Sequence, residues 1–211
     1  MRKRILVKAP ALSRSGYGEQ SRFSLRSMRS REDLFDIYLL NIPWGNTGMI
    51  AEHSEERVWL DTLIIKTNEY VQQCKAQQQN PQFDISFQVT IPNEFEKIAP
   101  INIGYTAGIE TNKIAPQWIE MINSTMDKII TISSHSKKVI EKTTYDVPNP
   151  QTGEMIKGWC VTKPVEYISY PVKSIEPDPN GVDIPFETTK NFLCVKQWNP
   201  KERGTDSPCF L

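Results

Sequence analysis

The stretch Arg14-Ser15-Gly16-Tyr17-Gly18-Glu19-Gln20 holds the residue types best suited to ligand chemistry in this chain. Two glycines let a backbone come close to a bound molecule. A helix starting there would aim unpaired N–H groups at that molecule, which favours an anion such as a phosphate. Residues 1–31 carry nine Lys/Arg (2, 3, 4, 8, 14, 22, 26, 29 and 31) against the single acid Glu19, and Arg22 is a candidate anion ligand among them. The plainer reading is a strand-turn-helix with a solvated basic face. Further on, Glu110 in Gly108-Ile109-Glu110-Thr111-Asn112-Lys113 is the best-placed carboxylate. It could bind or polarise a hydroxyl, or simply brace its own loop. His135, after Ser133-Ser134, could face the same ligand or sit in a capping turn with the serines as N-cap groups.

These residues need elements to position them. Arg4–Ala9, Phe35–Asn41, Phe83–Val89, Ile101–Ala107, Asp127–Ile132 and Val165–Pro171 read as strands. Helical patterns fall between them at Ser21–Arg31, Glu55–Gln79 (stopped by Pro81), a short piece around Asn93–Ile98, a helix opened by Pro116 through Trp118 and Ile122, and Lys137–Lys142. Such alternation predicts an α/β fold, with a Rossmann-like parallel sheet and helices on both faces. Ligands then sit outside the carboxyl ends of the strands, where residues 15–18, 41–48, 90–92, 107–111 and 133–136 fall. Residues 144–163 break the rhythm and read as a small inserted hairpin without an assigned role. Pro177, Pro179, Gly181 and Pro185 mark a linker. The expected organisation is a domain over 1–175, a linker over 176–190, and the start of another domain over 191–211, with a strand at Phe192–Lys196.

Composition excludes several classes. The 211 residues carry 25 basic and 25 acidic side chains, so neither nucleic-acid binding nor another polyanion is indicated for the whole chain. No apolar run approaches the roughly 20 residues needed to cross a bilayer, and Lys8 interrupts the one run that resembles a leader. A cytoplasmic protein with no membrane span is expected. Four scattered cysteines and two histidines predict neither disulfides nor a metal site.

Gly16-x-Gly18-x-x-Ser21 lacks the third glycine of a dinucleotide fingerprint, and Asn41 stands where its acid is expected. No Walker loop is present. A stronger likeness lies elsewhere. Ser15-Gly16-Tyr17-Gly18, the run Gly104-Tyr105-Thr106-Ala107-Gly108-Ile109-Glu110-Thr111, Trp118, Asn123, Met126–Ile130 and Ser133-Ser134 together resemble the N-terminal half of a retaining GT-B glycosyltransferase (group 1, family 4-like). The resemblance covers most of residues 1–142, and the specific part is Ile103–Ser134. It implies transfer of a glycosyl group from a nucleotide sugar to an acceptor hydroxyl on a glycan or other molecule. No metal or other cofactor would be needed. It places Gly16, Tyr17 and Gly18, with Arg22, beside the donor phosphates, and Glu110, more weakly His135, on the acceptor side. Trp118 and Tyr105 read as core rather than as sugar platforms.

Residues 192–201 resemble the opening of the family's donor-binding domain. Trp198 falls where the family has an arginine, leaving Lys201 and Arg203 as substitutes. Because the family's paired-glutamate motif lies further along than Leu211, the expectation is an incomplete chain, inactive alone: a truncated gene product, a fragment, or half of a split enzyme completed by a separately encoded C-terminal domain. The rival expectation is a non-catalytic glycan- or protein-binding module on the same fold.

Overall fold

The computed structural model describes residues 2–148, 152–172, 176, 181 and 188–190. The chain divides into one unit over Met1–Val172 and another over Lys173–Leu211, and every element below belongs to the first. The strand expected at Phe192–Lys196 lies outside the described residues.

Six strands form one parallel sheet: β1 (Lys3–Ala9), β2 (Phe35–Asn41), β3 (Ile85–Val89), β4 (Ile101–Tyr105), β5 (Lys128–Thr131) and β8 (Val165–Tyr167), in the order β2-β1-β3-β4-β5-β8. Four helices join them: α1 (Gly16–Arg29), α2 (Glu55–Ala76), α3 (Pro116–Thr125) and α4 (Ser134–Lys142). The expected Rossmann-like architecture is therefore present. The inserted hairpin is present too, as β6 (Tyr145–Pro148) antiparallel to β7 (Met155–Trp159).

Register and the period of two sort the sheet residues. Ile5, Val7 and Ala9 lie beside Ile37, Leu39 and Phe87 on one face, packed with Leu25 of α1. Leu6, Tyr38 and Ala99 share the other face with Phe83, and further along it Phe95 and Ile129 pack against Ile119, Ile122 and Ile140 of α3 and α4. Helix α2 takes a third position, along the free edge of β2. Its Leu60 and Leu63 join the first cluster, Tyr70 packs against the second, and Thr67 Oγ1 accepts the Leu39 N–H at 2.8 Å. An unpaired strand edge is a template for unwanted pairing, and Thr67 closes this one.

Thr67→Val keeps the shape and removes that acceptor. Orphaning one buried N–H costs about 1–3 kcal/mol. A urea midpoint lowered by a corresponding amount, with unchanged m-value, is the expected result.

Several expected helical boundaries shift: α1 begins at Gly16 rather than Ser21, so the glycines belong to its first turn, and α4 begins at Ser134 rather than Lys137. Helix α2 ends at Ala76, well before Pro81, because Gln78 takes φ 55, a left-handed conformation that terminates a helix. The helix expected around Asn93–Ile98 is only a 3₁₀ turn over Pro92–Glu94. Beyond it, backbone groups that would bond along a helix bond to buried side chains instead. Gln88 exchanges hydrogen bonds with both N–H and C=O of Glu96, and Asn102 Oδ1 accepts from Ile98 and Ala99 N–H.

Candidate functional site

In the sheet order, connections leave β1 toward β2 on one side and reach β3 on the other. That reversal is where open α/β sheets leave a crevice. The Gly16–Gly18 turn follows β1 directly, so topology places it there. Ser15 caps α1: its backbone is extended and its Oγ accepts the Gly18 N–H at 3.1 Å. Among the described residues, the N–H groups of Gly16 and Tyr17 have no hydrogen-bond partner. The amides open to an anion are therefore two.

The two glycines differ. A Cβ on Gly16 would meet nothing, whereas one on Gly18 would collide with the Ser13 carbonyl and come within 3.2 Å of Arg22 Nη1. Gly18 is thus required by the turn's own packing, and Gly16 is not.

Arg22 is turned inward. Its Nη1 donates to the carbonyls of Ala11 (2.8 Å) and Ser13 (3.0 Å), and its other nitrogens hold Glu19. Burial alone would raise the Glu19 carboxyl, but Arg22 and Arg26 hold it below the usual range. Arg26 in turn makes a two-pronged contact with Glu56 of α2. The N-terminal arginines thus brace α1 against its surroundings, and the guanidinium expected to meet a ligand is committed to the loop that carries the glycines.

Tyr17 reaches from α1 to the end of β4. Its hydroxyl lies 3.0 Å from Thr106 Oγ1 and accepts the Ala107 N–H at 3.1 Å, while its ring packs on Trp44. Burial pushes its pKa up, so it stays a neutral hydrogen-bonding phenol at ordinary pH. The residues before the turn are laced to the loop after β2. Asn41 Oδ1 accepts the Leu12 N–H, Ser13 Oγ lies 2.6 Å from Thr47 Oγ1, and Arg14 N–H donates to the Gly48 carbonyl. Asn41 at the position of a dinucleotide acid therefore has a structural task.

Glu110 is exposed at the apex of the loop after β4. Both ends of that loop are fixed. Ile109 is buried and its N–H donates to Ser136 Oγ of α4; Ile114 is buried and its N–H donates to Thr143 Oγ1. The hairpin adds two contacts, since the Tyr145 hydroxyl donates to the Ile114 carbonyl and Lys113 Nζ sits over the Tyr145 ring. Asn123 clasps the segment that follows β7 through Cys160 and Thr162, so the hairpin acts as a buttress. The loop and Trp118 form an open hollow of about 370 Å³, lined by Gly108–Thr111, Lys113–Ala115 and Trp118, most of whose lining residues are exposed. Tyr17 does not line it, so Glu110 and Tyr17 meet only through the strand end at Thr106–Ala107.

His135 is exposed in the first turn of α4, one residue from the Ser136 that holds the Glu110 loop, and Ser133 is the residue that caps α4. Lys201 and Arg203 lie outside the described residues. Sequence reasoning missed Ser136, Thr143 and Tyr145, which make the Glu110 loop rigid. A hydroxyl after a strand was visible as a cap, but its second bond spans 27 residues and leaves no local trace.

The fold and its crevice define a Rossmann-like α/β domain. Comparisons with known protein families, curated proteins and solved structures found no match to this chain. Among the described residues no helix is long and apolar enough to cross a membrane.

Proposed function

We propose that this chain is the acceptor-side half of a GT-B type glycosyltransferase, using a nucleotide sugar and an acceptor hydroxyl in the cytoplasm. The observation that carries the reading is the juxtaposition at the sheet's carboxyl edge. A glycine turn with two open amides at the topological reversal is joined, through the Tyr17 hydroxyl on the Ala107 N–H, to the start of a fixed loop that carries Glu110. Preorganised N–H groups suit charge developing on a departing diphosphate, and a held carboxylate suits an acceptor hydroxyl. In the complete reaction Gly16 and Tyr17 amides would face the donor phosphates and Glu110 the acceptor.

The inward commitment of Arg22 favours the second reading, a non-catalytic glycan-binding module. With that guanidinium spent on loop carbonyls, less charge remains to neutralise a diphosphate. Transfer of radiolabelled sugar from UDP-glucose and GDP-mannose to glycan acceptors separates the two. The assay is run with and without a donor-binding half supplied as a separate polypeptide. Turnover on adding that half is the expected result. Its absence together with retained glycan binding selects the module, and tight binding of NAD overturns both.

A further inference from the structure

Parallel sheets are normally covered on both faces, and one stretch of this sheet is not. Helix α1 packs on β1, β2 and β3, while α3 and α4 pack on the opposite face. Tyr105 and Ile130, neighbours in register on β4 and β5, lie on the α1 side, and among the described residues no helix crosses over them. A groove of about 370 Å³ follows there, walled by Phe23, Met28, Phe87, Tyr105, Ile130 and Ile168. The segment after β8 forms its outer lip. Two phenols hold that lip: Tyr105 donates to the Ile168 carbonyl at 3.4 Å, and Tyr170 donates to Gln20 Oε1 at 3.0 Å.

Gln20 heads the groove. It stands one turn ahead of Phe23 and Ser24, on the stripe of α1 that continues to Ser27 and Met28. Its partner Tyr170 sits between two residues of the lip, Ser169 and Pro171. The Gln20 side chain is fully buried and its Nε2 has no hydrogen-bond partner, a costly state for a donor. The lip beside it is thin, since Ser169, Tyr170 and Pro171 are all exposed. No charged side chain lines the groove, so a charged head group would lose its water and meet no counter-charge. A wholly apolar ligand would leave the Gln20 donor unmet. Charge complementarity therefore selects a neutral amphiphile, with an apolar body and one uncharged acceptor such as an ester or amide carbonyl. The volume lies at the small end of the roughly 300–1,000 Å³ typical of ligand pockets, which suits one medium-length chain.

We propose that this groove binds a neutral amphiphile, its chain between α1 and β4–β5 and its acceptor on Gln20 Nε2 once the lip shifts. The site is separate from the Gly16–Gly18 turn and from Glu110, and the inference goes beyond the transferase reading without resting on it. The isotope-labelled chain is titrated with methyl octanoate and with octylammonium, which has the same chain length and no acceptor. The readouts are the Gln20 carboxamide and Met28 methyl resonances in NMR, the former assigned with Gln20→Met. Methyl octanoate is expected to shift both saturably, and octylammonium to bind about tenfold more weakly. Gln20→Met removes that preference. Ser27→Phe, a change at an exposed position on the groove wall, blocks the ester while the urea midpoint stays at the wild-type value. Equal binding of the two ligands would reduce the groove to a greasy surface and overturn the proposal. So would shifts that persist in Ser27→Phe, no saturable shift at all, or a Gln20 carboxamide that exchanges magnetisation with a bound water the ester does not displace. Ester binding without sugar transfer leaves the groove standing, and transfer without ester binding removes the groove alone.

Discussion

Gly18→Ala is expected to cost about 3 kcal/mol of stability, the upper range for forcing atoms into a well-packed site, while Gly16→Ala leaves the urea midpoint unchanged or slightly higher. The two glycines sit two residues apart at the start of one helix, yet their surroundings differ. The Gly18 Cα faces the Ser13 carbonyl and the Arg22 Nη1 that donates to it, so neither backbone nor guanidinium can retreat without disturbing that hydrogen bond. At Gly16 the space is empty and φ is not left-handed, and alanine in a helix gains roughly 0.5–1 kcal/mol over glycine. Gly16→Ala is thus a probe of ligand approach alone. If its amide meets a phosphate at close range, the added methyl weakens sugar-nucleotide binding while the protein stays folded. Equal midpoints for the two variants would show that the turn relaxes and that Gly18 has no packing role.

How far the sequence carried this site follows from the range of each interaction. Strands β1 and β2, the serine cap of α4 and the Pro116 start of α3 depend on neighbours within a few residues and were readable. So was the hairpin, flagged by its turn formers. Arg26 illustrates the limit. Nine basic residues against one acid look like an anion site in a string, but the acids that pair with them include Glu56 and Asp36, and Lys66 of α2 is what holds Asp36, at 2.6 Å. Local charge counts cannot register partners thirty residues away. Ser86, Gln88 and Asn102 show the same limit in the core: all three are fully buried, and the partners that satisfy them lie on other segments.

Those three form a polar seam under the sheet, and breaking it gives the second large effect. Asn102→Leu is expected to lower stability by about 4 kcal/mol, a large part of the 5–15 kcal/mol typical of a domain. Asn102 Oδ1 takes three hydrogen bonds, from Ser86 Oγ at 2.8 Å and from the N–H groups of Ile98 and Ala99 at 2.9 and 3.0 Å; its Nδ2 donates to the Ala99 carbonyl at 2.6 Å. Leucine satisfies none of them. Each orphaned buried group costs about 1–3 kcal/mol. The Ser86 hydroxyl keeps a bond from Gln88 Nε2, and Ile98 is only partly buried, so water relieves part of the sum. The loss falls on the segment after the 3₁₀ turn, where Phe95 presses its ring onto Gly104 of β4, the strand that leads into the Glu110 loop. Amide exchange should therefore quicken first at Glu96, Ile98 and Ala99, and reach Ile109 before α1. Asn102→Asp tests the donor half of the same network: its carboxylate still accepts from Ser86, Ile98 and Ala99, but the Nδ2 donor is replaced by an oxygen facing the Ala99 carbonyl in a fully buried site. It should therefore be destabilised as well, with the loss of protection at Ala99 easing as the carboxyl is protonated at low pH. If Asn102→Leu unfolds at the wild-type urea concentration, side chains do not hold that segment, and the rigidity ascribed to β4 and its loop needs another source.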